Sequence, residues 1–210
     1  MPTPHVTPNE PLLLVDTQYS GNAWKVRLLA GLLSIPLQRQ TLSIVDGDLA
    51  QPEFARINPW RQVPVLRTYE GQWLAESIAI LWYLAAGSKL LPNDTPAQTD
   101  ILRWLAFEQT QHMEFLAQPR LRVALRKTAG VNDPEIVAFR SRGNAALQIM
   151  EAQLSHNLFI AGDRATIADI SLFPYTYMAE QGGYSLDAYP AIQRWLTGIE
   201  ALPGYTGLLD

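Results

Sequence analysis

Asn58-Pro59-Trp60-Arg61-Gln62-Val63-Pro64-Val65-Leu66-Arg67-Thr68-Tyr69-Glu70-Gly71-Gln72-Trp73-Leu74-Ala75-Glu76-Ser77 constrains this chain more than any other stretch. A β-branched residue stands before a proline, then Val63–Leu66 and Gln72–Leu74 read as two short strands around a turn at Glu70-Gly71. Glu76-Ser77 then opens an apolar helix expected over Ser77–Ala86. Such a corner offers main-chain groups and a helix start side by side, which suits a ligand carrying peptide bonds and a carboxylate.

Upstream, Leu12–Asp16 suits a buried strand, and Val26, Leu29, Ala30 and Leu33 place a helix over Asn22–Leu33, with Gly31 weakening it. Leu37–Leu42 alternates as a strand, and Asp46–Ile57 reads as irregular or short helical before Asn58-Pro59. Gly87–Asp94 is a linker, after which the character changes. Thr95-Pro96-Ala97-Gln98 offers an N-cap, a first-turn proline and a capping-box partner, and the helix it opens runs to about Ala117, before Pro119. Asp133-Pro134 starts another helix reaching Ser155, Thr166 to Asp169 a third, and Pro190–Ala201 is the last. The organisation is therefore an α/β domain over 1–86, a linker over 87–94 and an all-helical domain over 95–210.

With 210 residues, 48% apolar and 17% charged, the chain is an ordinary globular protein able to bury a sizeable core. A net charge of -4 supplies no field for polyanions, which argues against nucleic acid as a partner. Arg120, Arg122, Arg126 and Lys127 form the only basic run and read as a solvated helix face or a weak attraction for a small anion. No apolar run reaches the roughly 20 residues of a membrane span, and the polar, proline-rich start is not a signal peptide. A cytoplasmic location follows as the expectation. The absence of cysteine removes thiolate zinc sites and protein thiol nucleophiles, and His5, His112 and His156 are too scattered for a metal site.

The joint order of Ser20-Gly21-Asn22, Asn58-Pro59, Gln62-Val63-Pro64, Glu76-Ser77 and Thr166-Ile167-Ala168-Asp169 resembles that of the cytosolic glutathione transferases, over nearly the whole chain. The resemblance implies a thioredoxin-like N-terminal domain followed by a helical bundle, glutathione as co-substrate, no metal, and a homodimer in detoxification. It also implies a cis Val63-Pro64 bond that turns the Val63 main chain towards the cysteinyl part of glutathione, where the residues alone favour a trans proline at a strand start. Glu76 and Ser77 would take the ligand's ammonium and γ-glutamyl carboxylate, or else act as a capping pair. Arg61, beside Gln62, stands either as a fork for the glycyl carboxylate or as a solvated loop arginine.

Ser20 is the expected catalytic residue, donating its hydroxyl proton to the glutathione sulfur, with helix capping as its other reading and Tyr19 as an adjacent substitute. Tyrosine-type relatives carry their donor nearer the strand, where this chain has Val15-Asp16. Asn22 keeps a second chemistry open, because some bacterial relatives that reduce disulfides pair a hydroxyl with an asparagine at this turn. Glutathione-dependent disulfide or peroxide reduction is thus an alternative to conjugation, and a non-enzymatic binding or regulatory protein on the same fold is another. Phe107, Gln111 and Phe115 are expected to line a second-substrate pocket between the domains, with Tyr175 or Met178 behind them. Thr166 to Asp169 matches a structural capping box, and His112 reads as a structural polar residue rather than a base.

Overall fold

The computed structural model describes residues 11–43 and 47–210. His5 and Asp46 lie outside them. The chain divides into two compact units, one running to Leu84 and joined by Pro203–Asp210, the other spanning Ala85–Leu202.

The first unit holds a four-stranded sheet in the order β2-β1-β3-β4, formed by β1 (Leu12–Asp16), β2 (Leu37–Thr41), β3 (Val65–Arg67) and β4 (Trp73–Ala75). β1 is central because Leu12, Leu14 and Val15 are apolar and buried, whereas the Gln-rich β2 is an edge. β1 runs parallel to β2 across helix α1 (Gly21–Leu32) and antiparallel to β3, and β3 turns back into β4. Gly71, at φ 79°, supplies the left-handed residue of that hairpin turn. Helices α2 (Pro52–Ile57) and α3 (Ser77–Ala85) complete the unit, which is the thioredoxin-like arrangement. The apolar composition of α3 is explained by its burial, since none of its residues is exposed.

Helix α1 is buried on nearly every side, Lys25 and Arg27 included. Pro203–Asp210, which the sequence alone groups with the helical half, packs with this first unit. Trp24 Nε1 donates to the Thr206 carbonyl at 2.7 Å. Gly31, which weakens the helix by propensity, is required here by packing. A Cβ at that position would stand 2.4 Å from the Gly204 carbonyl oxygen and 2.2 Å from Thr206 Oγ1.

The second unit is built of helices among its described residues, with a single β-bridge between Phe159 and Gly162. α4 (Thr95–Phe107) is capped by Asp94 rather than by Thr95, because the Asp94 carboxylate accepts the Ala97 N–H at 3.2 Å while Gln98 turns to the Pro92 carbonyl at 3.0 Å. The helix also continues past Ala117. A π-helical turn over Glu108–His112 leads into α5 (Met113–Arg120), which contains Pro119, and a second π turn follows over Leu121–Leu125. Proline removes the N–H that would bond Phe115, four residues earlier. The Tyr184 hydroxyl donates to the Phe115 carbonyl instead, at 2.6 Å.

α6 (Pro134–Leu154), α7 (Ile167–Tyr177) and α8 (Pro190–Glu200) complete the bundle. The capping box at the start of α7 is present. Asp169 is fully buried and accepts from Ile160 N, Thr166 N, Thr166 Oγ1 and Trp195 Nε1, so one side chain joins the start of α7 to α8. Burial raises the Asp169 carboxyl from its ordinary value while these donors pull it down. No helix of the described residues is long and apolar enough to cross a membrane.

Gly31→Ala should lower stability by about 2 kcal/mol, in the range for overpacking of a close contact. Thermal unfolding should then fall by about 5 °C.

Candidate active site

The sheet register fixes where the sequence-predicted residues meet. Val65 pairs with Val15 on one side and Ala75 on the other. The chain leaving β1 towards Ser20, the chain entering β3 through Val63-Pro64 and the chain leaving β4 into Glu76-Ser77 therefore share one end of the sheet. Residues separated by more than fifty positions are brought together by two antiparallel pairings.

Ser20 is the N-cap of α1, in extended conformation, and its Oγ accepts the Ala23 N–H at 3.2 Å. A hydroxyl that accepts a capping bond still holds its proton, so capping and donation to a ligand are compatible roles. The first turn of α1 contains no acidic side chain, leaving its positive end without an anionic partner inside that turn. Asn22 lies in the same turn, its Oδ1 buried without a hydrogen-bond partner among the described residues. Tyr19 is 52% exposed.

The Val63-Pro64 bond is cis. The half-buried Val63 side chain packs on the cluster of Val15, Phe54 and Val65, with Leu42, Leu49 and Ile57 around it. This packing anchors the corner from below. Asn58, 2% exposed, shapes the approach to it: its amide donates to the Gln62 carbonyl at 2.8 Å and its Oδ1 accepts the Trp60 N–H at 3.1 Å. Sequence reading used Asn58 only as a turn marker and missed this organising role, although asparagine's habit of bonding its own following backbone is the available signal.

Arg61 and Gln62 are exposed on that loop, and Trp60 beside them is 63% exposed. Arg61 (φ 52°) and Glu76 (φ 68°) both occupy the left-handed region, a conformation that costs a non-glycine residue about 1–2 kcal/mol. Strain of this kind concentrates where a ligand is held. Glu76 is exposed, its carbonyl accepting the Ile80 N–H at 3.0 Å as the cap of α3, while Ser77 is buried in the first turn. That turn also carries no acidic residue.

Phe107, Gln111 and Phe115 belong to the helical unit and do not share one environment there. Gln111 is exposed, Phe107 is half-buried with its ring 5.2 Å edge-on to Trp104, and Phe115 is buried with Arg142 over its ring at 4.2 Å. Tyr175 and Met178 are buried as well. His112 is fully buried with Nε2 2.9 Å from Thr176 Oγ1, and His156 is exposed. The described residues contain no cluster of three His, Cys, Asp or Glu able to hold a metal ion.

The family model described as the glutathione S-transferase N-terminal domain matches residues 19–86, and the model of the C-terminal domain matches 121–203. A glutathione S-transferase structure from Pseudomonas fluorescens Pf-5 superposes with a TM-score of 0.92 at 35% identity, covering 96% of this chain and all of that one. The maleylacetoacetate isomerase of Rhizobium meliloti strain 1021 is 31% identical over 90% of this chain and 92% of its own. A glutathione transferase family member from Pseudomonas fluorescens Pf-5, solved with two glutathione bound, reaches a TM-score of 0.81 at 25% identity over 96% of this chain and 92% of that one.

The strain at Glu76 is measurable separately from its charge. Glu76→Gly should be about 1 kcal/mol more stable than Glu76→Ala in urea denaturation, since both lack the carboxylate and only glycine accepts φ 68° freely.

Proposed function

This chain belongs to the glutathione S-transferase family, and from that premise we propose that it activates the thiol of glutathione for attack on a small hydrophobic electrophile. The observation that carries this reading is the state of Ser20: its oxygen accepts the Ala23 N–H, so its proton is left to donate at a helix start free of acidic residues. A thiol of pKa about 8.5 must fall by about two units, or about 2.7 kcal/mol, to ionise at neutral pH. One hydrogen bond to a charged acceptor supplies about 1.5–3 kcal/mol, and a helix terminus adds up to about 2. No protein base is required.

In this reading the Val63 main chain pairs with the cysteinyl residue, and Pro64 holds that edge open. Glu76 takes the ammonium, and Ser77 with the first N–H groups of α3 takes the γ-glutamyl carboxylate. Arg61 and Gln62 meet the glycyl end. Phe107 and Gln111 are the accessible members of the set assigned to the second substrate, whereas Phe115 is buried against Phe139 and Arg142. A cytoplasmic homodimer serving detoxification completes the proposal.

A second reading keeps the ligand and changes the reaction to disulfide exchange through glutathione. Asn22 favours it, because a buried amide oxygen without a partner among the described residues lies in the same turn as Ser20. An amide can present either its oxygen or its NH2 to a ligand.

Ser20→Ala should slow conjugation of a chlorodinitrobenzene-type electrophile by about 10- to 100-fold, the loss expected for one charge-assisted hydrogen bond. Equal turnover by Ser20→Ala and the parent would remove Ser20 from the chemistry. Hydroxyethyl disulfide turnover that exceeds conjugation, and collapses in Asn22→Ala, would establish the second reading in place of the first.

A further inference from the structure

The turn that delivers Ser20 is held by a buried charge cluster and by the chain's last described residues. Asp16, fully buried at the end of β1, accepts from Arg27 Nη1 at 2.7 Å, Arg39 Nε at 3.1 Å and Thr41 Oγ1 at 3.1 Å. Two guanidinium groups face one carboxylate, so one positive charge is left to be met. Arg27 Nη2 donates to the Leu208 carbonyl at 2.6 Å, and Arg39 Nη1 donates to the Asp210 main-chain oxygen at 2.6 Å. The Asp210 carboxylate accepts the Gly207 N–H at 2.6 Å, which curls the tail, and its charge favours protonated Arg27. Burial still lowers the Arg27 guanidinium from its usual value, against the pull of Asp16.

Gln18 connects this cluster to the site. Its Nε2 donates to the Leu209 carbonyl at 3.0 Å, its Oε1 accepts Arg39 Nη2 at 3.1 Å, and its own carbonyl accepts Arg27 Nη2 at 3.4 Å. Gln18 lies inside the turn closed by the Ser20 N–H on the Thr17 carbonyl at 3.2 Å. Both its backbone and its side chain are therefore fixed, two residues before the hydroxyl of interest.

We propose that Leu208–Asp210, acting through Arg27, Arg39 and Gln18, position the Thr17–Ser20 turn and thereby set how acidic the bound thiol becomes. This rests on the reading of Ser20 given above. Gln18, Arg27, Arg39 and the tail are positioning elements, since none is placed against the sulfur. A hydrogen bond weakens steeply when its angle departs from linearity, so release of the turn reduces donation by Ser20 without emptying the ligand site.

Two variants test this: a chain shortened to end at Thr206, and full-length Gln18→Ala, each checked for folding by circular dichroism. Hydrogen exchange is followed without ligand, and the thiolate absorbance of bound glutathione is titrated against pH. Exchange over Thr17–Ala23 should quicken about tenfold while β3 and β4 stay protected, and the bound thiol should titrate about one unit higher, a tenfold loss of thiolate. Folded variants with the parent's exchange and titration overturn the proposal, as does quickening spread uniformly over the sheet. If the shortened chain does not fold, Gln18→Ala decides. If calorimetry shows that the parent takes up no glutathione at millimolar concentration, the transferase reading fails, and local exchange alone decides whether the tail holds the turn.

Discussion

Asp16 is fully buried at the point where β1 gives way to the turn before α1. An uncompensated carboxylate there would cost several kcal/mol, and breaking a buried pair costs about 3–5 kcal/mol because the surviving charge is stranded. Much of the first unit follows from that requirement. Arg27 is held within the buried helix α1, Arg39 is drawn inward on the edge strand β2, and carbonyls of Leu208 and Asp210 accept from Arg27 Nη2 and Arg39 Nη1, leaving Arg27 Nε without a hydrogen-bond partner among the described residues. One carboxylate thus ties together a strand, a helix, a second strand and a segment nearly two hundred residues away.

The corner proposed to hold the ligand depends on a different constraint, the registration of three short strands. Because Val15, Val65 and Ala75 lie abreast, three chain segments leave the sheet at one end. The backbone there adopts conformations that would be unfavourable in isolation, with Arg61 and Glu76 at positive φ. They are held by neighbours: Asn58 braces the loop from within, and the Val63 side chain is seated on Val15 and Phe54. The proposed function, catalysis by hydrogen bonding and placement with a nucleophile brought by the ligand, asks for rigidity of this kind.

In the helical unit, two buried polar groups draw their partners from distant segments. Pro119 leaves the Phe115 carbonyl without its helical donor, and Tyr184 supplies one. Gly143 leaves room for the Tyr184 ring, since a Cβ there would stand 2.3 Å from its hydroxyl, and Gly182 leaves room for α5, where a Cβ would stand 3.0 Å from Pro119 Cβ and 3.1 Å from the Arg120 nitrogen. Asp169 gathers donors from the loop before α7, from the cap itself and from α8. These contacts are internal to the unit and require no ligand.

The sequence determined the thioredoxin-like half followed by helices, the cap at Thr166, a hydroxyl at Ser20 able to cap or to donate, and the types of residue at the corner proposed to hold the ligand. Each of these is local or periodic: an apolar run, a turn dipeptide, or a hydroxyl before a helix. The motif order over Val63-Pro64 and Glu76-Ser77 carried the family. Tertiary structure alone decided that Asp94 outcompetes Thr95 as a cap, that α5 passes through Pro119, and that Gly31 is a packing requirement rather than a weakness. It alone revealed Asp16, Gln18, Arg27 and Arg39 as one network with Leu208–Asp210. Partnerships of that kind join residues far apart in the chain, and no spacing encodes them, because the force that brings them together is the cost of leaving a buried charge or carbonyl unmet.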